Sequence, residues 1–396
     1  MKIFNNTEIA FKSRTDRELK KAWLLFKLMS YPSAVKISGI FATIGIRFKV
    51  PVRWLVKPTI FSHFCGGETL DECKTVVEHL ARFKVHSILD YAAEDQDSEE
   101  EIKSVMDEII RTMDFATSQS YVPCSVFKPT ALAPGNILGN AGSFSSGNDI
   151  TQGIEKFRDN IRTLCQAACE RDLPVMIDAE ESHYQEVVDS VATEMMQLYN
   201  SKKAIVFNTL QMYRHDRLEF LSECIRKAGK NNYHLGIKLV RGAYMDQERE
   251  RARRMGYPSP IYPDKQSTDS AFNSAISLCL DNLNNTSIFI GTHNEDSLIF
   301  LMEKMKSLKL KNDDPRVLVS QLYGMSDHIS FNMAKHSYNV AKYLPYGPVR
   351  YLLPYLIRRA EENKSVSGQA GRELHYLKLE INRRNRSEKD KLNTKP

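Results

Sequence analysis

The chain has 396 residues, 42% hydrophobic and 26% charged, enough to bury a large core and unlike a disordered or fibrous protein. The formal net charge of +6 is modest but unevenly spread, with eight Lys or Arg residues and no Asp or Glu from Lys20 to Gly67. Seven cysteines form no CxxC pair and no Cys/His cluster at zinc spacing, so no metal is expected, and an odd, scattered set argues for a reducing compartment.

The amino end, MKIFNNTEIAFKSRTDRELKK, lacks the apolar centre of a secretory signal, and Glu8, Asp16 and Glu18 are unlike a transit peptide. From Trp23 to Ile60 the chain is apolar but repeatedly interrupted by Lys and Arg. Its uncharged run Ile37–Ile46 is about half the ~20 residues that a spanning helix needs. The segment reads as an arm packed on the core that could also touch an anionic bilayer surface. Cys165 and Cys169, at i,i+4 on a helical stretch, read as packing residues.

FCGGETLDECKTVVEHLARF reads as a turn and an amphipathic helix, after which a regular alternation begins. Strand-like runs are Val85–Asp90, Tyr121–Phe127, Leu173–Ile177, Ala204–Phe207, His234–Leu239, Ser287–Ile290, Arg316–Val319 and Tyr338–Tyr343. Helical patterns separate them, among them Glu99–Phe115, Ile154–Glu170, Tyr184–Tyr199, Tyr213–Gly229, Ser267–Leu283, Asp296–Leu308 and Asp327–Lys335. Nearly continuous apolar strands between helices predict an α/β fold with a parallel sheet, and eight repeats predict a (β/α)8 TIM-type barrel. A doubly wound sheet is the alternative, weakened because no GxGxxG follows a strand. The predicted organisation is an N-terminal helical arm (1–84), a catalytic barrel (85–365) and a basic tail (366–396) expected to be a helix fading into disorder.

Polar and charged residues follow the strands: Lys128; Asp178, Glu180 and Glu181; Gln211 and Tyr213; Lys238, Arg241 and Tyr244; Thr292, His293 and Asn294; Gln321 and Tyr323; and Tyr343. Barrel enzymes build their sites at these ends. The stretch Tyr343–Asn363 adds a helix on which Tyr355, Arg358, Arg359 and Glu362 fall on neighbouring faces. Two adjacent guanidinium forks suit a carboxylate or phosphate. An Arg–Glu surface pair is the ordinary reading, but the preceding LLPYLI places this helix against a core.

KLVRGAY (Lys238–Tyr244), IDAEE (Ile177–Glu181), FKPTAL (Phe127–Leu132), THN (Thr292–Asn294), QLYGM (Gln321–Met325) and YLIRRAEEN (Tyr355–Asn363) stand in the order and spacing of the proline dehydrogenases. The resemblance covers about Cys65 to Ser365. It implies a distorted barrel holding FAD without a covalent bond and oxidising L-proline to Δ1-pyrroline-5-carboxylate by hydride transfer from C5 to flavin N5. Arg358, Arg359 and Lys128 would clamp the carboxylate, Tyr343, Tyr355 and Leu322 would wall the ring, and Asp178 would orient the amine. Gln211, Lys238, Val240, Gly242, Lys265, Thr268, Thr292, His293, Asn294 and Glu362 match cofactor-contacting positions, with Glu362 also steadying the arginines and Gly242 admitting a close backbone approach. Glu94 matches an acidic residue that closes over one arginine on substrate binding.

Lys238 departs from the Arg of many bacterial members and offers a point charge instead of a fork. Met245 stands where some members have Trp. The bulky Tyr343 favours proline, since hydroxyproline-oxidising relatives carry a small residue there. Electrons would pass to a membrane quinone, and no nucleic acid is expected as a partner. The resemblance implies a monofunctional enzyme, cytoplasmic and able to sit peripherally on the inner membrane in a bacterium, or in the mitochondrial matrix of a eukaryote. Alternatives are a hydroxyproline dehydrogenase of the same family, a barrel lyase using Lys128 or Lys238 as a Schiff base, and a membrane scaffold without activity.

Overall fold

A computed structural model describes residues 3–31, 57–94, 96, 98–141, 148–365 and 369–393. Much of the basic apolar stretch Trp23–Ile60, namely 32–56, lies outside the described residues. In chain order the main elements begin with α1 (Asp16–Met29), α2 (Leu70–Ala81), β1 (His86–Tyr91), α3 (Glu99–Thr117), β2 (Ser125–Phe127), α4 (Asn148–Glu170), β3 (Val175–Ile177) and α5 (Gln185–Tyr199). β4 (Val206–Gln211), α6 (Arg217–Asn231), β5 (Leu235–Val240), α7 (Met245–Met255), α8 (Lys265–Asp281), β6 (Thr286–Gly291) and α9 (Glu295–Ser307) follow. The chain ends with β7 (Val317–Leu322), α10 (Asp327–Lys335), β8 (Val340–Tyr346), α11 (Val349–Ser365) and α12 (Gln369–Asn393).

The eight strands are neighbours in sequence order and close into a barrel, with parallel pairing from β1 through β7. Every predicted strand is present, with edges that differ for physical reasons. β4 continues through Asn208-Thr209-Leu210-Gln211, a largely polar stretch past the predicted strand whose residues are all buried. β8 runs on to Tyr346 through Pro345, whose carbonyl accepts from Gly66 N at 2.9 Å. The highly charged α7 escaped prediction because it buries only Glu248 and Ala252 and so has no apolar stripe.

The helices begin where side chains can satisfy free backbone N–H groups. Thr15 and Glu18 form a reciprocal capping box at α1, and Thr69, Ser98, Asp264 and Asn294 cap α2, α3, α8 and α9.

The chain divides into two compact units. His86–Ser320 with Tyr338–Ala341 forms the barrel unit, cored by residues such as Ile88, Phe127, Val175, Leu239 and Phe289. Met1–Val85, Gln321–Ser337 and Lys342–Pro396 form the other. Within that second unit, Phe26 stands edge-on to Phe64 and His63 at 6.1 and 5.4 Å. α12 packs on α1 and buries Glu373, Tyr376, Leu377 and Glu380, so the basic tail contributes a long ordered helix. No helix among the described residues is long and apolar enough to cross a membrane.

Candidate active site

Three of the predicted residues stand at strand ends of the barrel unit in two ion pairs. Lys128, directly after β2, donates to both carboxylate oxygens of Asp90 in β1, at 2.8 and 2.6 Å. Burial lowers the Lys128 pKa, but the charges of Asp90, Glu94 and Asp178 more than offset this and leave it raised. The resemblance assigns Lys128 to a substrate carboxylate; in this structure its partner is Asp90, which sequence reasoning missed. The signal was a carboxylate inside the apolar run VHSILD.

Asp178, directly after β3, accepts from Lys238 Nζ at 2.5 Å, and that ammonium lies 5.5 Å from the centre of the Phe289 ring. Strand register sets Thr209, Lys238 and Phe289 abreast on β4, β5 and β6. Asn208 marks the opposite face, because its amide donates to Asp189 of α5 at 2.8 Å. By alternation, Thr209 and Gln211 point away from the helices and into the barrel. The Thr209 hydroxyl and the Gln211 amide oxygen are buried there without a protein partner among the described residues. Glu180 accepts from the backbone N and hydroxyl of Thr130 at 2.9 and 2.8 Å, tying the β3 loop to the β2 loop. Burial, reinforced by the charge of Glu94, pushes Glu180 up to about 8.

Arg241, one residue past β5 and among the polar strand-end residues, is given no role by the resemblance, yet it links several residues that are given one. It donates to Asp269 at 2.8 Å, to the Thr292 hydroxyl at 2.6 Å and to the Ser297 hydroxyl at 2.9 Å, and lies 4.3 Å from the centre of the Phe272 ring. Asp269 also pairs with Lys265. The Thr292 hydroxyl accepts from Asn294 N at 3.1 Å, and Asn294 caps α9 through Ser297 N, also at 3.1 Å. The Thr268 hydroxyl donates to Asp264 O at 3.3 Å, while His293 and Val240 are half-buried beside this network in sequence. Gly242, two residues past β5, keeps a backbone conformation suited to glycine. Its φ of +128° favours glycine, and a Cβ there would lie 2.4 Å from the Tyr213 ring.

The second unit holds the other candidates. On α11, Tyr355 and Arg359 are buried, and the guanidinium carbon lies 5.3 Å from the centre of the tyrosine ring. Arg358 is half-buried, so the arginine pair is not an ordinary solvated face. Glu362 belongs to α11, but its side chain lies outside the described residues. Tyr343 is buried in β8, its carbonyl accepting from Tyr323 N at 2.8 Å, and the half-buried Leu322 ends β7.

Residues 73–372 match the family model for proline dehydrogenase. The chain is 31% identical, over 97% of its length, to proline dehydrogenase 1, mitochondrial, of Dictyostelium discoideum, spanning 75% of that protein. It is 29% identical, over 94% of its length, to hydroxyproline dehydrogenase of Xenopus laevis, spanning 88% of it. Among solved structures, the proline utilization A (PutA) protein of Bdellovibrio bacteriovorus inactivated by N-propargylglycine superposes with a TM-score of 0.72 at 20% identity. That match covers 91% of this chain and 38% of the other, and it supports the barrel fold. With a family model matched over residues 73–372 and a relative aligned along nearly its whole length, the chain belongs to the proline dehydrogenase family.

Proposed function

We propose that the protein oxidises L-proline to Δ1-pyrroline-5-carboxylate with FAD as the bound oxidant. The observation that carries this reading is the arginine pair of α11, one member of it buried against a tyrosine face. A buried fork of this kind suits a small carboxylate. The barrel unit fits a flavin in one testable respect: the buried Gln211 amide oxygen lacks a donor among the described residues, and an isoalloxazine edge carries an N–H.

Gln211, Lys238, Val240, Gly242, Lys265, Thr268, Thr292, His293 and Asn294 would hold the cofactor, with Glu362 beside it. Bound FAD supplies the acceptor for the hydride that leaves proline C5. The chain's own contribution is orientation and charge. Arg358, Arg359 and Lys128 bind the carboxylate, Tyr343, Tyr355 and Leu322 confine the ring, and Asp178 sets the charge on the amine side. Positioning of this kind can lower a barrier by several kcal/mol, on the order of 7 or more in favourable cases. Anaerobic addition of L-proline should bleach the visible flavin band of the purified protein. A colourless protein, or a flavin that proline leaves oxidised, rules the proposal out.

A membrane quinone is the proposed onward acceptor. On and just after α1, Leu24, Leu28 and Tyr31 are more than half exposed beside Lys20, Lys21 and Lys27, which supports peripheral contact with an anionic bilayer. Flotation with anionic vesicles tests that contact. The placement would be cytoplasmic, on the inner membrane, in a bacterium or in the mitochondrial matrix in a eukaryote. Hydroxyproline oxidation is the second reading, and the bulk of Tyr343 argues against it.

A further inference from the structure

Lys342 and Tyr343 are neighbours in β8, so their side chains leave opposite faces of the strand, and both are buried. Lys342 Nζ lies 2.9 Å from Asp327 Oδ1 and donates to the carbonyl of Met325 at 2.5 Å. The other Asp327 oxygen accepts from Arg14 Nε and from a terminal guanidinium nitrogen, both at 2.7 Å. Arg14 comes from the turn before α1, 313 residues earlier in the chain. One carboxylate therefore ties β8 to the first turn of α10 and to the N-terminal segment.

The surroundings extend the tie. Tyr323 N donates to Tyr343 O at 2.8 Å, so the loop after β7 is pinned to the very residue that follows Lys342. Buried His63 donates from Nε2 to Gly324 O at 2.8 Å. Glu373 of α12 accepts from Ser326 N at 2.7 Å, and His328 stacks on Tyr376 with ring centres 4.1 Å apart. Buried ion pairs are a poor way to gain stability, since apolar replacements of equal volume often serve as well. What they add is geometry: the fixed reach of Lys342 sets where β8 lies along the loop after β7.

We infer that Lys342, held by the Asp327 carboxylate that Arg14 anchors, is a positioning residue that fixes Tyr343 and thereby sets discrimination at the substrate ring. The inference rests on the reading of Tyr343 as a wall of the proline site. It makes the N-terminal segment part of the specificity apparatus, because Arg14 supplies the second cation on Asp327. A wall free to shift would admit a 4-hydroxyl group that the locked phenol excludes.

The test compares kcat and KM for L-proline and trans-4-hydroxy-L-proline in wild type, Lys342→Met and Arg14→Gln. Lys342→Met should lower the proline-to-hydroxyproline ratio of kcat/KM at least tenfold, mainly through a lower KM for trans-4-hydroxy-L-proline, with kcat for proline changed less than about twofold. Arg14→Gln, at a more accessible part of the cluster, should shift the ratio in the same direction and serves if Lys342→Met does not fold. A role confined to stability would lower Tm and leave the ratio alone. Wild-type ratios in either variant, at wild-type flavin content, overturn the lock while leaving the proline reading intact. A wild-type protein whose flavin proline does not bleach overturns both.

Discussion

Asp178 and Lys238 stand 2.5 Å apart, the carboxylate just after β3 and the ammonium in β5, with 15% and 5% of their side-chain surfaces exposed. Removing either partner alone leaves a buried charge without its ion-pair partner, a loss of about 3 kcal/mol, whereas removing both can be nearly neutral. Asp178→Leu and Lys238→Met should each destabilise strongly, and the double variant should recover at least ~2 kcal/mol of their sum. Urea unfolding of the four proteins measures this coupling. Additive effects would mean that the two groups share no charge in solution.

Gly242 sits at φ +128° with the Tyr213 ring 2.4 Å from where a Cβ would be. Gly242→Ala then combines backbone strain with a steric clash and should cost roughly 3 kcal/mol. In a Tyr213→Ala background the clash is gone, so the same substitution should cost only about 1–2 kcal/mol. Equal costs in the two backgrounds, read by thermal unfolding, would remove the ring from the account.

The periodicity that made the barrel legible belongs to its strands, which are apolar and buried on both faces. α12 was harder to read because its buried stripe, Glu373, Tyr376, Leu377 and Glu380, has helical spacing but is half carboxylate. Its glutamates are held by partners far away or unremarkable in sequence, Ser326 for Glu373 and Arg383 and Arg384 for Glu380. The same limit applies at the candidate site. Arg358, Arg359, Lys128 and Lys238 could be named from motifs, but that Lys128 would be paired with Asp90, and that Arg241 would bridge Asp269, Thr292 and Ser297, depends on which strand ends the fold sets side by side.

His63 connects stability to pH. Burial, with the Arg14 charge next in weight, lowers its pKa from 6.5 to about 3, while its Nε2 stays bonded to Gly324 O. A depressed histidine pKa means that the unfolded chain takes up the proton first, so the stabilisation is complete above about pH 6.5 and is lost as pH falls toward 3. The slope contributed by this one group is ~1.4 kcal/mol per pH unit within that window. His63→Gln keeps a donor for the carbonyl and cannot titrate. It should flatten the acid limb of stability measured between about pH 6.5 and 5, above the ordinary range of exposed carboxylates. An acid limb as steep as that of wild type would assign the loss to other groups.

Arg359 gives the most direct view of the substrate. Its side chain is buried and its guanidinium faces the Tyr355 ring at 5.3 Å, so the fork is already oriented before any ligand arrives. Arg359→Met keeps much of the aliphatic bulk and removes the charge-assisted hydrogen bonds, about 1.5–3 kcal/mol. KM for proline should therefore rise roughly 10- to 150-fold. Arg359→Lys restores the charge without the fork and should fall between the two. Tyr355→Phe keeps the ring under the guanidinium and should alter KM far less than Arg359→Met. Steady-state kinetics at saturating acceptor separate these cases, and a KM for Arg359→Met equal to that of wild type would take this arginine out of the binding site.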